Sequence, residues 1–202
     1  MPVPDKQTLR KALRKEKIKA REALTPEERA EKSRAICANI LQTPEYAKAK
    51  VVMIYKFVKG EVQLAALEDA NEALPEETRK IFVYPLCIED RSMLAIAPQS
   101  SDTNTDSWKK GAFSIPEPVA KKGRIVAPED IDLVVSPCSS FDETFMRLGM
   151  GGGYYDRFLP KCVKADVMLV AYECQRAEQI PAEDWDVPVP CIVTEERVLR
   201  AE

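Results

Sequence analysis

The sequence predicts an α/β layered fold with a mostly parallel central sheet, and two observations carry that expectation. Apolar runs of strand length alternate along the chain with capped or amphipathic helical segments. The 202 residues suit one domain, taken as spanning 1–202. In such folds ligands bind beyond the carboxyl ends of the strands.

A helix is expected from Asp5 to about Leu24, a stretch rich in Lys, Arg, Glu, Ala and Leu and free of Gly and Pro. Its apolar stripe, Leu9, Ala12, Leu13 and Ala20, is narrow, so most of its surface should be wet. Thr25-Pro26-Glu27-Glu28 supplies an N-cap, a proline in the first turn and a glutamate three residues after the cap. The helix it starts should run to about Gln42 and bury Ile36, Cys37, Ile40 and Leu41. Thr43-Pro44 restarts a short helical turn, and Val51 to Tyr55 is an apolar run read as a buried strand. Glu61 to about Leu74 reads as helix, Ile81 to Tyr84 as strand, and Met93 to Ala97 as a further strand after the turn-like IEDRS. Pro98, Pro116, Pro118 and Pro128 make residues 98–130 a long, partly irregular excursion. Ile131 to Val135 is the next strand, Tyr154 to Leu159 opens a helix, Val167 to Tyr172 is a strand, and Cys191 to Thr194 is a last one.

Composition excludes several function classes. The longest apolar run is the six residues from Val167 to Tyr172, against the roughly 20 a membrane-spanning helix needs. The N-terminal residues lack the apolar stretch of a secretory signal, which makes the cytoplasm the expected compartment. Thirty basic against thirty-three acidic residues leave a net charge of −3, which argues against nucleic acid or an anionic membrane as partner. Six cysteines without a C-x-x-C pair are read as reduced thiols, mostly in the core. Histidine is absent, which removes imidazole bases, His-dependent nucleophiles and His-based metal sites. Phosphoryl transfer, which relies on positioning and charge neutralisation, needs none and stays open.

Four of the seven glycines fall within positions 149–153. In Arg147-Leu148-Gly149-Met150-Gly151-Gly152-Gly153-Tyr154-Tyr155-Asp156 the loop follows an expected strand and precedes a helix. Unobstructed backbone N–H groups there can converge on an anion at the positive end of the helix, making a phosphate cradle. The competing reading is a flexible surface turn, but a flexible turn has no need of an arginine before the glycines and two aromatics after them. Neither G-x-x-x-x-G-K-[ST] nor G-x-G-x-x-G is present, so the cradle is of another kind.

The run RLGMGGGYYDRFL resembles the glycine-loop signature of the 5-formyltetrahydrofolate cyclo-ligase family, also called methenyltetrahydrofolate synthetases. Support extends through Lys6-x-x-Leu9-Arg10, Glu61-Val62 after a strand, a strand ending at Pro85, the turn Phe113 to Pro118, Phe141-Asp142, and Trp185-Asp186-Val187-Pro188. The resemblance implies a three-layer α/β/α enzyme, akin to the sugar-phosphate isomerase and CoA-transferase-like folds. It implies a monomer that uses ATP and Mg²⁺ to convert a reduced folate, 5-formyltetrahydrofolate, into 5,10-methenyltetrahydrofolate through a phosphorylated formyl group.

Carried residue by residue, the resemblance places Lys6 and Arg10 on ATP phosphates from one face of the first helix. Arg147, Leu148, Gly149, Met150, Gly151, Gly152, Gly153, Tyr154 and Tyr155 form the rest of the ATP site, with Arg147 aimed at the transferring phosphoryl group. Tyr154 and Tyr155 also face the folate, Glu61 contacts the pterin, Lys56 is a weaker substrate candidate, and Asp156 holds Mg²⁺. Trp108 either packs the long loop or stacks on a ligand. Without the resemblance, Lys6 and Arg10 are an ordinary solvated basic face and Asp156 an N-terminal helix carboxylate. The chain departs from the family pattern at Cys138-Ser139-Ser140, at Phe145 where a glycine is usual, at Met150 and Gly152 inside the loop, and at Pro190 in place of a second metal-binding aspartate. Two rivals stand beside the ligase: a same-fold phosphosugar isomerase or acyl-CoA enzyme, and a non-catalytic folate- or nucleotide-binding relative.

Overall fold

The structure is a computed structural model that describes residues 5–58, 60–111 and 115–201. Phe113 and Ser114 of the expected turn lie outside the described residues. The N-terminal helices start where their caps place them. Asp5 accepts a hydrogen bond from the Thr8 N–H (3.0 Å) at the head of α1 (Lys6–Glu22). Thr25 and Glu28 exchange reciprocal bonds of 3.1 and 2.7 Å at the head of α2 (Pro26–Leu41), and Thr43 caps α3 (Pro44–Lys48).

The remaining elements are β1 (Val51–Met53), α4 (Ala65–Glu72), β2 (Ile81–Cys87), β3 (Met93–Pro98), β4 (Trp108–Lys110), β5 (Pro116–Pro118), β6 (Gly123–Val126), β7 (Leu133–Pro137), β8 (Ser140–Phe141), β9 (Arg147–Leu148), α5 (Tyr154–Phe158), β10 (Asp166–Val170), β11 (Cys191–Val193) and β12 (Val198–Arg200). Eight strands form the central sheet in the order β12-β11-β10-β7-β1-β2-β3-β6. The interior pairings from β2 to β11 are parallel, while β3, β6 and β12 join antiparallel at the margins.

Strand periodicity sorts side chains onto the two faces. Val52, Leu133, Val135, Met168 and Val170 pack with Ile36, Ile40 and Leu67 of α2 and α4. Met53, Val83 and Val134 point the other way, against Phe158 and Leu159 at the end of α5. Helices therefore cover both faces, as a three-layer α/β/α fold requires. No described helix is long and apolar enough to cross a membrane.

Several sequence expectations are corrected. In α1, Leu9 is 41% exposed while Arg10 and Arg21 are buried, so the docked face is led by arginines, with Leu13 of the stripe partly buried against Leu148, Ala177 and Ile180. In α2 the buried fourth residue is Ser33, and Leu41 is exposed. The helix expected from Glu61 begins at Ala65 instead. Val62 and Leu64 are drawn into the core there, and the Gln63 N–H donates to Ser33 Oγ (3.0 Å), which takes that segment out of helical bonding. Pro85 lies inside β2 rather than at its end. The pairing with β1 stops at Val83, so the missing N–H leaves no gap on that side. The 98–130 excursion holds β4, β5 and β6, and β12 follows the strand expected to be last.

Candidate functional site

The glycine loop runs from β9 to α5 at the carboxyl ends of β1, β2 and β7. Ser139 anchors its start: the Ser139 N–H and hydroxyl both donate to the Leu148 carbonyl, at 2.7 and 2.9 Å. Gly151 (φ +99) and Gly153 (φ +65) hold left-handed backbone, which is why glycine is needed at those two points. The helix that follows has five residues. Its dipole is correspondingly small, so the positive field expected from a helix end has to come from side chains.

Two cavities meet at this loop. The first, of about 430 Å³, is lined by Arg10, Arg14, Arg91, Arg147 and Arg157 together with loop glycines. Asp156 and Asp186 are the acidic residues of that lining, and Trp185 and Gln7 sit at its edge. The second, of about 230 Å³, is more apolar and lies against Tyr55, Pro85, Met93, Pro137, Tyr154 and Tyr155, with Glu61 in its wall. Arg147, Gly149, Gly152, Gly153 and Asp156 line both. The shared wall is the site's central feature.

Arg147 is almost wholly buried; its Nη2 donates to Asp156 Oδ1 at 2.8 Å, and its Nε has no partner among the described residues. Arg10 grips Asp186 with both terminal nitrogens and donates to the Pro181 carbonyl (2.8 Å). Burial pushes the Asp186 carboxyl up, but bonds from Arg10 and the Glu183 N–H outweigh it and hold it below the usual carboxylate range. Arg14 Nε donates to the Gly149 carbonyl at 2.8 Å. Burial first and the charge of Arg10 second pull Arg14 below its ordinary pKa, a strain that a bound anion relieves. Arg157 ties the loop to the β2–β3 hairpin by donating to the carbonyls of Gly152 and Arg91.

Each expected residue has a definite place. Arg10, Arg147, the glycines and Asp156 come together in the first cavity, while Lys6 stands outside its lining, half exposed, 3.6 Å from Glu183. Glu61, Tyr154, Tyr155 and Met150 line the second cavity. Leu148 is buried beneath the loop against Ala177 and Ile180. Lys56 reaches the second cavity, but its ammonium is paired with Glu68 at 2.5 Å and lies over Tyr84 and Trp108. Trp108 is a packing residue: it is buried edge-on to Tyr84 and donates to the Ser100 carbonyl at 2.8 Å.

Sequence reasoning missed Arg14, Arg91, Arg157 and the Arg10–Asp186 pair. Arg10, Arg14 and Arg21 share a helix face at spacings of four and seven, a signal that was present. Nothing local announces Arg91, which arrives on a hairpin turn where Asp90 and Arg91 both have positive φ.

Among the described residues no cluster of three or more His, Cys, Asp or Glu is placed to hold a metal. Asp156 has one oxygen engaged by Arg147 and borders both cavities. A single carboxylate fits Mg²⁺, which keeps waters and borrows phosphate oxygens. Phe145 carries φ +65, so the chain does turn through glycine-like backbone where it departs from the family pattern. The strain of about 1–2 kcal/mol expected for a left-handed non-glycine residue is set against packing of its ring on the cluster around Phe141 and Val189.

Comparison with known proteins gives a consistent picture. The model of the 5-formyltetrahydrofolate cyclo-ligase family matches residues 3–195. A 5-formyltetrahydrofolate cyclo-ligase of Escherichia coli is 28% identical over 180 residues, covering 88% of this chain and 96% of that protein. The enzyme of that name from Haemophilus influenzae is 29% identical over 182 residues, covering 89% and 94%. The solution structure of the Aquifex aeolicus 5,10-methenyltetrahydrofolate synthetase superposes with a TM-score of 0.80 at 36% identity, covering 95% of this chain and 92% of that one. A synthetase of the same name from Mycoplasma pneumoniae, at 23% identity and a TM-score of 0.73, shares the fold over 92% of this chain and 98% of its own.

Proposed function

The chain belongs to the 5-formyltetrahydrofolate cyclo-ligase family, and from that membership we propose how its residues divide the conversion of 5-formyltetrahydrofolate and ATP into 5,10-methenyltetrahydrofolate, ADP and phosphate. The observation that carries the proposal is the wall common to both cavities. The arginine-lined cavity takes the triphosphate, the apolar cavity takes the pterin and its formyl group, and Arg147 and Asp156 stand where the two meet.

A formamide oxygen is a poor leaving group, so the formyl oxygen first attacks the γ-phosphorus while the bond to ADP breaks. N10 of the folate then attacks the formyl carbon, the carbon–oxygen bond breaks, and phosphate departs with the N10 proton. Holding the two substrates across one wall makes both steps intramolecular in effect. Arg10, Arg14, Arg91 and Arg157 bind and neutralise the phosphates. Arg147, buried and with a free Nε, faces the group in transfer. Asp156 would hold Mg²⁺ together with waters and phosphate oxygens, and the ion would add charge neutralisation at the phosphates. The acceptor for the pterin amine and amide N–H groups is Glu61, in the wall of the second cavity.

One domain over 1–202 acting as a monomer in the cytoplasm completes the reading. The six cysteines are free, with Cys37, Cys138, Cys162 and Cys191 buried. Family membership disfavours the phosphosugar-isomerase alternative, and an assay separates a non-catalytic relative. The methenyl chromophore is expected to form only with ATP and a divalent ion, and to disappear in excess chelator. Undiminished turnover under chelation removes the metal from the reading, and no turnover with all components present removes the enzyme. Glu61→Gln is expected to weaken 5-formyltetrahydrofolate binding by about tenfold or more while ATP binding changes little, because an ionic acceptor becomes a mixed donor and acceptor. Equal losses in separate titrations of the two ligands contradict this placement.

A further inference from the structure

We propose that Arg21 is a positioning residue for folate recognition, holding the Glu61 carboxylate as an anion aimed into the second cavity from behind. The proposal rests on the reading of Glu61 as the pterin acceptor. Arg21 lies in the last turns of α1 and its side chain is 2% exposed, against 5% for Glu61. Its Nη1 is 3.8 Å from Glu61 Oε1 and donates to the Cys138 carbonyl at 3.2 Å. The other carboxylate oxygen, Oε2, accepts the Val58 N–H at 3.0 Å, so the group is gripped from two sides. Gly60, at φ +83, folds the chain over the guanidinium: a side chain there would begin 3.4 Å from Arg21 Nε.

The electrostatics give Arg21 its task. Burial pushes the Glu61 carboxyl up, and the Val58 N–H and the charge of Arg21 pull it back. The other titratable groups facing Glu61 are Tyr55, Cys138 and Tyr155, all pushed up by burial, Cys138 to about 12, and therefore neutral near pH 7. Tyr172 donates to the Glu61 carbonyl rather than to its carboxylate. Farther along the cavity, Lys56 is paired with Glu68 and Arg147 with Asp156. Among the described residues Arg21 is thus the cation at ion-pair distance from Glu61. A buried ion pair adds little net stability against an apolar pair of the same volume, so its consequence is felt at the cavity. A neutral carboxyl would present a hydroxyl donor to the two N–H groups of a pterin edge, whereas the anion accepts from both. The same helix places Arg10 and Arg14 in the first cavity, so one rigid element serves both ligands.

The test is titration of 5-formyltetrahydrofolate and, separately, of ATP from neutral pH down into the acid range, because burial raises the Glu61 carboxyl above the usual carboxylate value. The proteins are the parent, Arg21→Met, Arg21→Gln, Arg21→Lys, Glu61→Gln and the double variant Arg21→Met/Glu61→Gln. Folate binding is lost as pH falls through the pKa of Glu61. Removing the cation raises that pKa, so in Arg21→Met the acid limb of folate affinity is expected to move up by about one pH unit or more. At mildly acidic pH this is a loss of about tenfold, with ATP affinity nearly unchanged. Arg21→Lys restores most of the limb, and in the Glu61→Gln background Arg21→Met causes no further pH-dependent loss. Should Arg21→Met fail to fold, Arg21→Gln, which keeps a donor for the Cys138 carbonyl, carries the same expectation. An acid limb unchanged in a folded neutral variant, or parallel losses of folate and ATP at every pH, overturns the proposal. A Glu61→Gln protein that binds folate as the parent does overturns instead the reading of Glu61 on which it rests.

Discussion

Arg147→Ala is expected to slow the single-turnover rate by about a thousandfold, equivalent to about 4 kcal/mol of transition-state stabilisation, while ATP affinity falls by less than about tenfold. The asymmetry follows from where the charges stand. Arg10, Arg14, Arg91 and Arg157 line the first cavity and remain to bind the ground-state triphosphate. Arg147 alone among these arginines also lines the second cavity, the one proposed for the formyl group. An interaction that strengthens as charge moves onto the transferring phosphoryl appears chiefly in kcat. Arginines in that role, and single oxyanion donors, are worth roughly a hundredfold to a hundred-thousandfold. Its 2.8 Å bond to Asp156 offers the opposite explanation, a brace for the loop. A brace predicts a lower Tm and a near-normal rate in the protein that stays folded. A folded Arg147→Ala protein that turns over at the parent's rate removes this residue from the chemistry.

Asp142→Ala is expected to destabilise the protein by about 3–5 kcal/mol, because it strips several buried donors of one acceptor at once. The carboxylate is fully buried. Its Oδ1 accepts from the Thr144 N–H at 2.9 Å, the Thr144 hydroxyl at 2.7 Å and the Met146 N–H at 3.2 Å, and its Oδ2 accepts from the Ile180 N–H at 2.6 Å. These bonds close the turn that carries Phe145 through its left-handed conformation and delivers Arg147 to the site. For a chain of this size each kcal/mol moves Tm by roughly 2–4 °C, so a fall of about 10 °C is the expected result. Asp142→Asn keeps one acceptor oxygen and should lose about half as much. A Tm within about 3 °C of the parent's for Asp142→Ala would show that the turn is held by something else.

By itself the sequence determined what local signals can encode. Capping residues at Asp5, Thr25 and Thr43 set the helix starts, because a cap bond spans three residues and needs no distant partner. Continuous apolar runs marked β1, β7 and β10 as buried strands, because a sheet covered on both faces has no polar side to interrupt them. The crowding of glycines at 149–153 marked the loop that lies between the two cavities, because glycine takes the left-handed backbone seen at Gly151 and Gly153 without the strain a side chain adds. Tertiary structure alone decided how the charges are used. Lys6 and Lys56 are cations like Arg10 and Arg147, yet the first stands outside the cavity lining beside Glu183 and the second is paired with Glu68. Arg10 meets Asp186 across 176 residues of chain, and Arg14 meets Gly149 across 135. The same docking that buries Arg10 and Arg21 leaves Leu9 in solvent, against the pattern of the helix read alone. A charge acts over a few ångströms in space and carries no periodicity along the chain, so its partner, its burial and its work are settled only when strands from distant segments bring their carboxyl ends together.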